Sequence, residues 1–410
     1  MELPKTGVAR DALFAEMRKN KEADADWRGG RTFSLIYPTN DEIDDVLAEA
    51  NELYLYENAL NPFRFPSLRQ MEVDVVEMTG GMLHAPIGFG GCMTSGGTES
   101  IIMAVKAARE RAKAERGVER GELLAPVTAH PAFAKAASYL GLDLVQIPIG
   151  ADHRADVAAA EGLLSERTAL VVGSAPNYPF GTVDPIPELS ALAAERGISF
   201  HTDSCLGGFM LPFLEKLGED IPPFDFRVPG VTTMSADVHK YGYCTKGAST
   251  VLHRDDAHLK KYQLFVYQDW PGGLYASFAM AGARPAAPIS AAWAVMRYLG
   301  EEGYLRLARE AREATRKLQD GIGAIAGLRV IGAPVMTVFA FGAEDDSIDL
   351  FAVGDVMDDR GWHIDRQHGP DALHVMVSPK HLEVADAFLA DLREAVANHG
   401  SSRGKEARYS

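Results

Sequence analysis

A chain of 410 residues that is 47% apolar can bury a large core. Its formal charge of −16 excludes a nucleic-acid binder, which needs a basic face to meet phosphates. Cys92, Cys205 and Cys244 are odd in number and far apart, so they supply neither a disulfide framework nor a zinc spacing and point to a reducing cytoplasm.

The first 60 residues read as helices and loops, with "DEIDDVLAEANELYLY" carrying apolar residues at helical spacing. They contain no apolar signal core, and no run approaches the ~18 apolar residues of a membrane-spanning helix. The expectation is therefore a soluble, cytoplasmic protein with no integral membrane segment. From residue 92 the pattern alternates. A glycine-rich turn leads into helix "TESIIMAVKAARERAKAERG", followed by strand "LLAPVTA", helix "AFAKAASYLG" and strand "DLVQIPI". Strand "TALVVGSAP", helix "IPELSALAAERG" and strands "ISFHTDS", "VTTMSADV" and "ASTVLHR" complete the region. Short apolar runs between helices imply βαβ units and a mainly parallel sheet, an α/β fold. After "GARPAAP" a long helical stretch runs to about 327, and "LRVIGAP", "VMTVFAFG" and "ALHVMVS" suggest a smaller α+β unit. The expected organisation is an N-terminal helical segment (1–60), a large α/β domain (61–288), a small α+β domain (289–398) and a flexible tail (399–410).

Open α/β sheets gather ligands at the carboxyl ends of their strands, and four features fall at such ends. "TSGGTES" runs directly into a helix, so Gly97 and Thr98 can offer close backbone and free N–H groups to a phosphate. His130 in "TAHPAF" can stack on a flat heteroaromatic ring. Asp203 ends a buried strand and needs a cationic partner, for which a pyridinium N–H is suited. Lys240 in "SADVHKYGYCTKG" is a lysine whose pKa burial and cationic surroundings can lower enough to make it a nucleophile. His239 beside it can reach the same phosphate. Each feature alone has a bland alternative as a capped turn, a backbone-bonded histidine or a loop lysine. Together, in this order, they are the fittings that pyridoxal 5'-phosphate requires, with Lys240 as its Schiff-base partner.

The order "TSGGTES … AHPAFAKAASYLG … DSCLGGF … SADVHKYGY…KG … DWPGGLYAS" resembles sphingosine-1-phosphate lyase, within the group II pyridoxal-phosphate enzymes of the aspartate-aminotransferase fold. The resemblance spans roughly residues 30 to 395. It implies Lys240 as the Schiff-base lysine, His130 as the stacking ring, Asp203 as the partner of the ring nitrogen, and Gly97, Thr98 and His239 as phosphate contacts. It further implies that Tyr37 and Lys246 meet a substrate phosphate, and that Tyr275 and Arg284 are lent by the second subunit of a homodimer. Where the family has "N-P-L-H-P" this chain has "NPFRFP", with Phe63 and Arg64; Arg64 can serve there as an anion donor. Phe180 stands in the histidine position of "F-P-H-G", and Ala283 in the serine position of "G-S-R-P". Two polar contacts near the substrate are lost in this way, of which Arg64 can replace one.

The activity so implied is cleavage of the Cα–Cβ bond of a phosphorylated, long-chain 2-amino-3-hydroxy compound, giving a fatty aldehyde and ethanolamine phosphate. Lys240, Tyr275 and water are the candidate proton carriers, with His130 also counted among the catalytic groups. The alternative is an amino-acid decarboxylase on the same scaffold, using Arg284 for the carboxylate. No metal is expected, since His363, His368 and His374 have spacings that match no zinc template.

Overall fold

The computed structural model describes residues 2–345, 347–404 and 407. After the surface helix α1 (Arg10–Lys21), the chain forms α2 (Asp41–Leu53) and α3 (Pro66–Met82). Helix α2 starts where the Asn40 side chain accepts the Ile43 N–H at 3.1 Å, with Asp41, Glu42 and Asp44 at its positive end. It buries Ile43, Leu47 and Ala50, one face at helical spacing.

The large sheet is built from β1 (Gly90–Thr94), β2 (Glu122–Pro126), β3 (Asp143–Ile147), β4 (Thr168–Ser174), β5 (Ser199–Asp203), β6 (Thr233–Ala236) and β7 (Ser249–His253). Their order is β1-β7-β6-β5-β4-β2-β3, and every pairing from β3 across to β6 is parallel. Strand β7 runs against both β6 and β1, so β1 points the same way as β6. The carboxyl ends of β1, β2, β4, β5 and β6 therefore share one edge, as expected of the mainly parallel sheet. The connecting helices are α4 (Gly97–Arg116), α5 (Ala132–Leu140), α6 (Val157–Leu163), α7 (Ile186–Glu195) and α8 (Leu211–Lys216). Helices α4 and α5 end at Gly117 and Gly141, both left-handed with φ of 69°.

Strand β1 was not legible in the sequence, since it opens on two glycines and its one β-branched residue, Thr94, is its last. The glycines are needed for packing: a Cβ on Gly91 would lie 2.7 Å from a Leu252 methyl and 2.9 Å from Val76 on α3. A one-turn α9 (Asp256–His258) leads to the exposed hairpin β8 (Phe265–Tyr267) and β9 (Tyr275–Ser277). The long α10 (Ala287–Gly323) bends at Gly300, whose φ of 54° takes it out of the helix.

The small antiparallel sheet has the order β10-β11-β13-β12, formed by β10 (Leu328–Val330), β11 (Val338–Ala343), β12 (Asp365–Gln367) and β13 (Ala372–Met376). Helices α11 (Leu350–Asp359) and α12 (His381–Asn398) cover it. The stretch of the N-terminal segment around Phe33 packs into this unit, while α2 buries Ile43 and Leu47 in the core of the large sheet. Phe33 is fully buried between His381 and Phe388, and its backbone bonds His363 at 3.0 Å and Met376 at 2.7 Å. Burying that ring contributes about 1.5–3 kcal/mol, and it fixes the path of the next four residues toward the cleft.

Part of the tail expected to be flexible lies outside the described residues, at 405, 406 and 408–410. Ser402 and Arg403 instead bond Asp349 and Asp355 through their backbone N–H groups. Among the described residues no helix is long and apolar enough to cross a membrane.

Candidate active site

At the shared edge of the strands lies a cavity of about 370 Å³, lined by residues from five strand ends. Gly97, Thr98, His130, Asp203, His239 and Lys240 all face it. Sequence separates these side chains by up to 143 positions (97 to 240), and the parallel sheet brings them together.

The turn after β1 leads into α4 with no side chain capping the first N–H groups of the helix, which leaves them for an anion. Glu99 reaches back from the third helical position to the backbone and hydroxyl of Ser95, at 2.7 and 2.5 Å. Gly97 is required by close approach: a Cβ there would sit 2.7 Å from Asp237 Oδ2 and 2.8 Å from the Cys205 sulfur. His239 lies across the turn, its Cε1 within 3.4 Å of the Cβ position of Gly96.

Asp203, at the end of β5, is held through Oδ1 alone, which accepts the Cys205 N–H and the Ser235 hydroxyl, each at 3.1 Å. Ser235 is itself 3.1 Å from Nε2 of the buried His201. Among the described residues Oδ2 of Asp203 takes no bond, and the residue lines the cavity. His130 accepts the Ala132 N–H at Nδ1 (3.1 Å), which leaves its proton on Nε2. Burial, and then the Lys240 charge, pull its pKa below the usual histidine value against the opposing pull of Asp203 and Asp237, so the ring is neutral and suited to stacking. His239 accepts the Ala248 N–H at 3.2 Å in the same manner, and burial lowers its pKa to about 4.

Lys240 departs from expectation. Its ammonium sits 3.0 Å from Asp237 Oδ2, a carboxylate with 1% of its side chain exposed. Burial alone would lower the lysine, but the negative field of Asp237, reinforced by Cys205, Tyr37 and Asp203, raises it well above its ordinary value. Burial likewise would raise Asp237, and the positive charges of Lys240 and His239 outweigh that and hold it low. The setting is anionic, not cationic, and in this arrangement Lys240 is charged. Asp237 was passed over in the sequence although it stands three residues before the lysine in the same motif. Tyr178 was also missed. It lines the cavity, donates its hydroxyl to Asp365 at 2.6 Å and stacks 4.1 Å from His374.

Tyr37 and Lys246 flank the lysine turn. The Tyr37 ring meets the Tyr241 ring edge-on at 4.8 Å, and Lys246 Nζ lies 5.0 Å from the Tyr37 centroid. Crowding around the Lys246 ammonium, and then the Lys240 charge, pull its pKa down to about 8, although the residue keeps access to solvent.

Neither Tyr37 nor Lys246 is part of the cavity lining, and the remaining candidates do not line it either. Arg64 is exposed in a loop, and Tyr275 lies on the β8–β9 hairpin against Phe265. Arg284 forms a two-point ion pair with Glu72, at 2.6 and 2.9 Å. Phe180 is buried beside Ile331, Ala340 and Ala372 and stacks 4.2 Å from His153. Its aromatic ring completes a small core rather than offering a polar group to the cavity. The three C-terminal histidines are dispersed as well. His374 bonds the Tyr178 carbonyl at 2.8 Å, His368 bonds Asp371 at 2.6 Å and His363 pairs through its backbone with Phe33. Among the described residues no group of side chains could hold a metal ion.

Two observations fit pyridoxal phosphate to these residues. Asp237 Oδ1 is buried with no hydrogen-bond partner among the described residues, and the α4 N-terminus at the cavity carries first-turn N–H groups that no side chain caps. Comparison with known proteins agrees. Residues 9–343 match the family model described as the pyridoxal-dependent decarboxylase conserved domain. The sphingosine-1-phosphate lyase of Arabidopsis thaliana is 42% identical, over 98% of this chain and 75% of its own. Sphingosine-1-phosphate lyase 1 of Rattus norvegicus is 38% identical over 96% of this chain and 69% of its own. The solved structure of the Burkholderia pseudomallei K96243 sphingosine-1-phosphate lyase superposes with a TM-score of 0.93 at 41% identity, covering 97% of this chain and 92% of that one. The glutamate decarboxylase of Lactobacillus brevis, at 21% identity and a TM-score of 0.85 over 97% of this chain and 94% of its own, shares the fold.

Proposed function

This chain belongs to the sphingosine-1-phosphate lyases of the pyridoxal-dependent decarboxylase family, and from that premise we propose how its residues cleave a long-chain 2-amino-3-hydroxy phosphate. The observation that carries the reading is the convergence of Lys240, Asp203, His130 and the Gly97 turn on one cavity. When bound, the cofactor supplies an electron sink for the pair released from the Cα–Cβ bond.

The chain's own groups do the rest. Asp203 Oδ2 would hold the ring nitrogen protonated, and the neutral His130 would pack against the ring. The N–H groups of Gly97 and Thr98, with His239 Nε2, would hold the cofactor phosphate. Lys240 Nζ, once released to the neutral amine, takes the C3 hydroxyl proton and returns a proton to Cα, a contribution of about 10²–10⁴-fold for general acid–base help. Lys246 and Tyr37 meet the substrate phosphate beside it. The products are a fatty aldehyde and ethanolamine phosphate. A decarboxylase would need a cation for the substrate carboxylate, and the pairing of Arg284 with Glu72 outside the cavity counts against it.

The working unit in this proposal is a homodimer. Helix α1 buries none of its residues in its own chain and leaves Leu13, Phe14 and Met17 exposed. Phe265, Val266, Tyr267 and Trp270 are likewise exposed on and beside the β8–β9 hairpin. Such apolar surface calls for a partner, and a second copy would bring Tyr275 to a neighbouring cavity. The three cysteines are free and buried, which supports a reducing cytoplasm as the compartment.

Product analysis tests the activity. Sphingosine 1-phosphate should give the long-chain aldehyde and ethanolamine phosphate, and the dephosphorylated base should give far less. Release of carbon dioxide from amino acids with no aldehyde from the phosphate would overturn the reading.

A further inference from the structure

The ion pair that removes Arg284 from the cavity has a second property. Arg284 Nη1 also donates to the Met93 carbonyl at 3.0 Å, and Glu72 Oε1 accepts the Met93 N–H at 3.1 Å. Both main-chain groups of one β1 residue are thereby held by one salt bridge. Met93 precedes Thr94, where the glycine turn begins. The same segment of chain grips the turn again further on: the Met280 N–H donates to Glu99 Oε1 at 2.7 Å, while Glu99 Oε2 holds Ser95. The Phe278 carbonyl in turn accepts from the buried Gln263 at 2.8 Å.

We infer that Arg284 and Glu72 are positioning residues for the cofactor phosphate, acting through Met93, and that residues 278–284 form a strap across the outside of the phosphate turn. The physical reason is geometric. Backbone N–H donors act on an anion only if their direction is fixed, and a turn built on Ser95, Gly96 and Gly97 has no side-chain bulk to fix itself. The strap supplies what the glycines lack. Arg284 sits at 16% and Glu72 at 18% side-chain exposure, so the pair is shielded from competing water. Its bidentate form sets an orientation that a lysine would not reproduce.

The inference rests on the cofactor site proposed above, and the test separates the two. Full-length protein is dialysed against graded pyridoxal phosphate or pyridoxal, and bound cofactor is read by absorbance. The wild type should prefer the phosphorylated form. Arg284→Met should lose about 10–100-fold in affinity for pyridoxal phosphate, the scale on which outer supports of a binding group act, and change little toward pyridoxal. Arg284→Lys should recover part of the loss. Because Arg284→Met leaves Glu72 unpaired, the double variant Arg284→Met, Glu72→Met removes both charges and should still lose the preference. With saturating cofactor, the substrate KM should stay near the wild-type value. A double variant that keeps the wild-type preference overturns the inference, as does a rise in substrate KM with cofactor affinity intact. A wild type that binds neither form overturns the site itself.

Discussion

Replacing Asp237 by Asn keeps the shape of the side chain, and with it the fit against Gly97, while removing the charge that faces Lys240. At 3.0 Å and an effective dielectric of about 20, the attraction is roughly 5.5 kcal/mol. The Lys240 side chain keeps 21% of its surface exposed, and the cost of breaking buried pairs, about 3–5 kcal/mol, is the better guide. Losing that attraction should bring the Lys240 pKa down, and at about 1.4 kcal/mol per factor of ten the pair is worth about 10²–10⁴ in the population of neutral amine. A lysine whose pKa is raised is protonated at neutral pH, and only its neutral form bonds an aldehyde. Each unit lost therefore gives tenfold more reactive amine until the pKa reaches the working pH. The rate at which the full-length protein captures pyridoxal phosphate at pH 7.5, followed by stopped-flow absorbance, should rise about 10²–10⁴-fold in Asp237→Asn. The rate–pH profile should move to lower pH. An unchanged profile would refute the assignment of Asp237 as the charge that holds Lys240 protonated.

Gly97→Ala places a methyl 2.7 Å from Asp237 Oδ2 and 2.8 Å from Cys205, and overpacking of this kind costs about 1–3 kcal/mol; equilibrium dialysis should show weakened retention of the cofactor, and undiminished retention would mean that the turn is not the phosphate cradle. Lys246, with its pKa near 8, loses its positive charge as pH rises through that value. Substrate KM should therefore climb about tenfold per unit above pH 8, the slope of a single lost proton. Lys246→Arg keeps its charge throughout and should flatten the rise, whereas matching profiles in the two proteins would remove Lys246 from substrate binding.

Much of the cavity was legible because its residues stand where apolar runs end. Asp203 closes "ISFHTD" and Lys240 follows "TTMSADV", and strand ends on one edge of a parallel sheet converge whatever their separation in the chain. What was not legible depended on packing. Strand β1 hides behind Gly90 and Gly91, set by close approach to Asp256 and to Val76 on α3 rather than by strand preference. The charge state of Lys240 was misread because it is set by one carboxylate at 3.0 Å, and local sequence did not signal on which side of the turn Asp237 would point. Arg284 looked like a free cation because its partner, Glu72, lies 212 positions away on α3. Phe180 was read by motif position as a lost polar contact, although the ring it meets, His153, is reached only through the fold.

Phe33 is seated in the interior of the small sheet, and Tyr37 leans on Tyr241, the neighbour of Lys240 in the chain. Four residues of chain can stretch to only about 14 Å, so the link has little slack. Rocking of the C-terminal unit on the large one would tug Tyr37 along, and the Tyr178–Asp365 bond would tug Tyr178 in the cavity lining. The two tyrosines are thus geared to a single lever.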